Sequence, residues 1–194
     1  MSPIARVRSG TVPFFPLAGI LAILSSGCAH HAGTTNGDDR TMNDTVELSD
    51  LVGRWSGDNH LYVMPGDPVR ESESEATVSL AADGAVALVT YTWAYEGTPQ
   101  EGVLMLRTGT PDDVAVVFVD SWHTRDQIMQ FRVDPEHEGL IAVRGSYAAP
   151  PGPDWGWRIT VEADGPDAFR IVMHNVTPKG QEALAVDARF TRVE

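Results

Sequence analysis

From residue 51 onward the chain repeats one phrase. A run of about eight to twelve residues rich in Val, Ile, Thr and aromatic side chains is followed by a cluster of Gly, Pro, Asp or Asn. Runs of that length and composition, punctuated by turn formers, read as short β-strands joined by tight turns. Turn clusters fall at Met64–Pro68, Ala82–Gly84, Glu96–Pro99, Gly109–Asp113, Asp134–Gly139, Pro150–Asp154, Asp164–Asp167 and Pro178–Gly180, with one more bend over Trp122–Asp126. Strands are therefore predicted over 51–63, 72–81, 85–95, 101–108, 114–122, 127–133, 139–148, 155–163, 168–176 and 182–193. Within them the sides alternate. Phe169, Ile171 and Met173 oppose Arg170, Val172 and His174, while Val186, Ala188 and Phe190 oppose Asp187, Arg189 and Thr191. Trp157, Ile159 and Val161 oppose Arg158, Thr160 and Glu162. This is the pattern of antiparallel sheet with one wet face. No stretch of fifteen residues carries a helical stripe free of Gly and Pro. The fold class is all-β, a single antiparallel up-and-down β-barrel of about ten strands, because closure removes the edges that an open meander would expose. A ten-stranded barrel is wider than an eight-stranded one, so a ligand cavity is expected unless bulky side chains fill it.

The first 46 residues read differently. Arg6 and Arg8 form a basic head, and Thr11 to Leu24 is an apolar run of signal-peptide length, too short and too Pro-interrupted to span a membrane. Ser25-Ser26-Gly27-Cys28 follows, and Cys28 is the sole cysteine of the chain. Small residues before a cysteine resemble the lipobox of bacterial lipoproteins, with Ser25 where an aliphatic residue is usual; there the leader is removed and the cysteine acylated, with palmitate among the chains. The domains are thus a signal peptide over 1–27, a flexible tether over 28–46 and a barrel over 47–194. The tether is polar, rich in Gly, Thr, Asn and Asp, and its His30 and His31 read as solvated.

Charge narrows the partners. Fourteen Lys and Arg against 27 Asp and Glu give −13, which becomes −15 once Arg6 and Arg8 leave with the leader. That balance argues against nucleic acid and against basic-patch adhesion to anionic lipid, so membrane attachment rests on the acyl chains. Residue 29 is Ala, not Asp, which by resemblance to sorted lipoproteins favours the outer membrane facing the periplasm.

Gly53-Arg54-Trp55 opens the first strand and resembles the opening motif of the calycin barrels, the lipocalins, fatty-acid-binding proteins and the nitrobindin-like group. In those families the tryptophan plugs one barrel end and a late arginine packs over it. The resemblance implies Arg192 as the partner of Trp55, with Arg189 second. Val119-Asp-Ser-Trp-His123, Arg144-Gly-Ser-Tyr147, Asp154-Trp-Gly-Trp-Arg158 and His174-Asn-Val-Thr-Pro-Lys-Gly180 together resemble a family of uncharacterised bacterial domains with a lipocalin- or nitrobindin-like barrel. That resemblance implies a fold and carries no activity.

Candidate chemistry is sparse. Trp93, Ser121, Trp122, His123, Tyr147 and Trp157 are the expected ligand-lining residues, Trp and Tyr offering an apolar body with a polar tip. Ser121 and His123 stand two apart, on one face of a strand extended through residue 122, and could pair as nucleophile and base, whereas Asp120 would point away from them. No cofactor or metal is expected; His174 is the residue that could ligate haem by analogy with nitrobindins, but its alternation sets it opposite Phe169, Ile171 and Met173. The loop Glu136-His137-Glu138 reads as solvated, and catalytic fingerprints such as GxSxG and HExxH are missing. The expected function is binding of a small apolar or amphipathic molecule by a lipid-anchored envelope protein. An enzyme, a haem barrel, or a filled barrel acting as an interaction module are the alternatives. Replacing Cys28 by Ser should abolish metabolic labelling with fatty acid and release the protein from membranes; labelling that persists in the variant would remove Cys28 as the acylation site.

Overall fold

A computed structural model describes residues 46–108, 114–125 and 127–193. The leader, Cys28, His30, His31 and the tether up to residue 45 lie outside the described residues. Ten strands run in order: β1 (Gly53–Leu61), β2 (Arg70–Ala81), β3 (Val86–Tyr95), β4 (Thr98–Arg107), β5 (Val114–Asp120), β6 (Met129–Val133), β7 (Ile141–Tyr147), β8 (Trp155–Ala163), β9 (Ala168–Val176) and β10 (Glu182–Arg192). Each pairs antiparallel with its sequence neighbour, and β1 pairs with β10, so the sheet closes into a ten-stranded up-and-down barrel. Among the described residues there is no helix.

Turn chemistry sets the hairpins. Tyr95 pairs directly with Thr98, leaving Glu96 and Gly97 as a two-residue loop with φ of 49° and 76°. Two consecutive positive φ values give the turn twist that matches antiparallel strands, and Gly meets the second at no steric cost. Pro99 therefore lies inside β4 rather than in the turn, opposite Ala94; β5 pairs with β4 only from Gly102 onward, so the missing N–H of Pro99 interrupts no ladder.

Alternation decides the interior as the periodicity predicts. Phe169, Ile171 and Met173 of β9 and Val186, Ala188 and Phe190 of β10 are all buried and directly paired. At β1 the backbone of β10 comes so close to Gly57 that a Cβ there would lie 1.7 Å from the Arg189 carbonyl oxygen, so only glycine fits. Much of the lumen is solid: Trp55, Phe118, Phe131, Phe190, Leu104, Leu106, Ile159, Ile171 and Met173 are among its fully buried side chains.

One end is sealed by a specific device. Trp55 pairs in register with Arg192, whose guanidinium carbon sits 4.3 Å from the indole centroid. The indole Nε1–H donates to the Leu51 carbonyl at 2.9 Å, and Phe169 meets the ring edge-on at 4.8 Å. Arg192 also donates to the carbonyls of Asp50 (2.7 Å), Val52 (2.9 Å) and Pro166, and to the Asp167 carboxylate (3.0 Å). It thus ties the turn before β1 to the β8–β9 hairpin. Cation–π contact and charged hydrogen bonds together are worth roughly 2–4 kcal/mol here. Arg192→Ala should therefore lower Tm by roughly 5–15 °C, read by circular dichroism. Arg192→Lys should recover little of the loss, since one ammonium cannot reach four acceptors; full recovery by Lys would show that charge alone matters.

Candidate functional site

The opposite mouth is built around a buried carboxylate. Tyr91, Gly102 and Asp120 lie in one cross-strand row on β3, β4 and β5. Gly102 has no side chain, and a Cβ there would fall 2.3–2.6 Å from the Tyr91 ring. The ring therefore lies flat across β4, and its hydroxyl donates to Asp120 Oδ2 at 3.0 Å. Trp93, two residues on, donates Nε1–H to the same oxygen at 3.2 Å.

The other oxygen organises the turn that follows. β5 ends at Asp120, and residues 121–125 form a turn. Asp120 Oδ1 accepts the backbone N–H groups of Trp122 (2.8 Å) and His123 (2.9 Å) and sits 3.0 Å from His123 Nδ1. Thr124 closes the turn, accepting the Asp120 N–H on its hydroxyl at 2.8 Å. Asp is suited to this because its short side chain reaches the amides two and three residues ahead. Burial pushes the Asp120 carboxyl upward, but the His123 ring and the two backbone N–H groups outweigh it and hold the pKa at about 2. Tyr91 moves the other way, its phenol pushed well above the usual range by burial and by the adjacent carboxylate, so it stays a neutral donor.

A carboxylate only accepts, so His123 Nδ1 carries the proton and, in the neutral imidazole, Nε2 presents a lone pair. The imidazole is packed among Trp93, Phe118, Trp122 and Trp157, with ring centroids 5.6, 6.5, 4.7 and 5.4 Å away. Its Nε2 is buried with no hydrogen-bond partner, and so is Nε1 of Trp157. Tyr147, half-buried 6.2 Å from Trp157, donates to Asn175 Oδ1 at 2.8 Å. The mouth thus combines an oriented histidine, an indole donor and a wall of rings.

Of the ligand-lining residues expected from sequence, Trp93, Trp122, His123, Tyr147 and Trp157 meet here. Ser121 does not. It is exposed, accepts the Glu101 N–H at 3.0 Å and donates to the Gln100 side chain at 2.7 Å. A depression of about 650 Å³ along β1–β5 includes Ser121 with Thr77, Thr90, Thr92 and Val103, and its lining also takes in Tyr91, Gly102 and Asp120. Extending the strand alternation through 121–123 gave the wrong pairing. Asp120 continues the inward face of Val116 and Phe118, and because β5 stops there the turn over 121–125 brings His123 back onto it, while Ser121 is exposed; no Ser121–His123 pair forms. Asp120 is the site residue that the strand reading set on the wrong side, and the available signal was an Asp at a strand end before a bend.

His174 is on the outer face of β9, opposite Arg158 in the β8–β9 ladder, so it does not project into the lumen as a haem ligand. Burial lowers its pKa, helped by the Arg158 charge. Around it lies an ionic network in which Glu182 binds Arg158 (2.6 Å) and Arg144 (2.9 Å), and Asp134 binds Arg144 (3.1 Å) and His137 (3.0 Å). In the 136–138 loop Glu136 and Glu138 are exposed, while His137 is half-buried with its Nδ1 3.0 Å from Asp134 Oδ2. Among the described residues no group of three or more His, Cys, Asp or Glu is placed to hold a metal ion.

Residues 43–192 match a family model described as "Protein of unknown function (DUF1579)". No curated protein matches the chain. Solved structures similar to it include Rv2717c from M. tuberculosis, 16% identical over 76% of this chain and 95% of that one, with a TM-score of 0.45. The S-type phycobiliprotein lyase CPES from Guillardia theta is 12% identical over 76% and 90%, with a TM-score of 0.44. A redesigned β-barrel is 14% identical over 76% and 95%, with a TM-score of 0.36.

The low Asp120 pKa has a measurable consequence. A carboxyl held at about 2 instead of its ordinary 3.8 stabilises the fold above about pH 4, and that contribution, roughly 2 kcal/mol, disappears as pH falls towards 2. Asp120→Asn turns an amide donor towards groups that already donate. It should lower stability at pH 7 by roughly 2–4 kcal/mol and flatten the loss between pH 4 and 2, read from urea midpoints. A variant curve parallel to that of the wild type would assign the acid lability to other carboxylates.

Proposed function

We propose, on the premise that the chain belongs to the DUF1579 family of proteins of unknown function, that it is a lipid-anchored envelope protein whose barrel mouth binds a small, largely apolar molecule. Two buried ring nitrogens without partners, His123 Nε2 and Trp157 Nε1, carry the reading. Leaving such groups unpaired costs roughly 1–3 kcal/mol each, and a fold tolerates that cost where a bound molecule recovers it. Aromatic walls with a few fixed polar atoms are the usual make-up of a small-molecule site. Trp122 and Tyr147, both half-buried, form its rim. The ligand occupies the mouth rather than the whole lumen, because the half nearer Trp55 is filled by side chains.

Attachment is proposed through acylated Cys28, on the outer membrane with the barrel in the periplasm. The basic head, the short apolar run and the small residues before Cys28 support it, as does Ala29 in place of Asp. The acidic balance of the domain disfavours basic-patch adhesion to anionic lipid, so the acyl chains would hold it there.

Binding is testable with the full chain in mild detergent, using N-phenyl-1-naphthylamine as an apolar fluorescent probe. We expect saturable one-to-one binding with energy transfer from the mouth tryptophans Trp93, Trp122 and Trp157, and transfer reduced in Trp122→Phe. Fluorescence that never saturates, or matches that of detergent alone, would overturn binding and leave a barrel working through its outer surface.

A further inference from the structure

We infer that the mouth reads a hydroxyl group, and that its ligand is a hydroxylated aromatic ring of the phenol class; the inference rests on the binding reading above. Asp120, with its side chain fully buried, fixes His123 by accepting from Nδ1–H. The His123 side chain is only 10% exposed, so its orientation leaves no freedom to turn Nε2 to water. With Nδ1–H given to Asp120, the uncharged form of the His123 ring offers one acceptor at Nε2, and Trp157 Nε1–H, on a residue 7% exposed, offers one donor. The two rings lie 5.4 Å apart, centroid to centroid. A group that satisfies both must donate to the imidazole and accept from the indole, which a hydroxyl does and an ether or a hydrocarbon does not.

A carboxylate is disfavoured by the surroundings. Asp120 already places one negative charge in this wall, and Trp93, Phe118, Trp122 and Trp157, packed on the imidazole, are uncharged. A second buried anion would find no cation among them. The rings also select the ligand's body. Trp122 meets the imidazole edge-on at 74–78° to Trp93 and His123, a wall suited to edge and face contact with a flat ring.

The test compares 2-naphthol, 2-methoxynaphthalene, naphthalene and 2-naphthoate as competitors of N-phenyl-1-naphthylamine on the full chain. We expect 2-naphthol to bind about tenfold more tightly than naphthalene or the methoxy ether, as one recovered pair of buried hydrogen bonds implies. His123→Phe should abolish that advantage while naphthalene still binds. Trp157→Phe, which keeps a ring and removes the donor, should do the same independently and serves if the first variant does not fold. Equal binding of naphthol and naphthalene would overturn the hydroxyl assignment and leave the binding reading standing. Naphthoate binding tightest would replace the hydroxyl by an anion. A naphthol preference that survives both substitutions would move the recognition to other residues. Failure of the fluorescent probe and all four naphthalenes would remove both readings together.

Discussion

Everything in this molecule depends on the pairing of its first strand with its last. β1 is hydrogen-bonded to β2 on one side and β10 on the other, and without the second pairing the sheet has two open edges. Arg192 over Trp55 is the side-chain counterpart of that closure. A residue at the end of the chain covers the indole at its start, and the same guanidinium reaches backbone carbonyls of two separate turns. The contact closes a loop of nearly the whole barrel, so its loop-closure entropy is large. Gly57 belongs to the same constraint, since any Cβ there would hold the strands apart.

Closure divides the interior into two unlike ends. Near Trp55 the side chains are large and apolar, and Phe169 and Phe190 stack at 4.8 Å. At the far mouth the chain buries an ionised carboxylate instead. Asp120 is tolerated because all its acceptor capacity is used by Tyr91, Trp93, His123 and two backbone amides. The network then stops short of completion at His123 Nε2 and Trp157 Nε1. The proposed ligand site rests on that contrast, a buried carboxylate fully satisfied beside two ring nitrogens that are not.

The outer face repeats this logic with a different outcome. Arg158 and Asp187 are outward on their strands yet buried, each within a network of opposite charges: Arg158 with Glu182, Asp187 with Arg170 and Arg189. Burial pushes the Asp187 carboxyl upward, and the hydrogen bonds from Arg170 and Arg189 outweigh it and hold the group low. These groups are paired, so they brace β8, β9 and β10 from outside. His174, the histidine with a resemblance to a haem ligand, lies beside that brace with its Nδ1 buried and without a hydrogen-bond partner.

Strand count, the all-β class, the alternation of β8 to β10 and the identity of the Trp55 plug were legible in the sequence because each depends on local period or on one recognisable motif. Period two reports which side a residue takes for as long as a strand lasts, and it held for Phe169 to Met173 and Val186 to Phe190. It failed at the one place where the strand ended early. Whether β5 continues to Trp122 or stops at Asp120 is decided by the capture of the turn amides by a carboxylate, and by the space that Gly102, two strands from the turn in sequence, leaves for Tyr91. That single boundary exchanged Ser121 for Asp120 as the partner of His123. Alternation and turn chemistry along the chain are enough to bring aromatic and polar residues together within a barrel. Which of them share an atom's hydrogen bond is settled by the closed sheet, because register across several strands is not a property of any one of them.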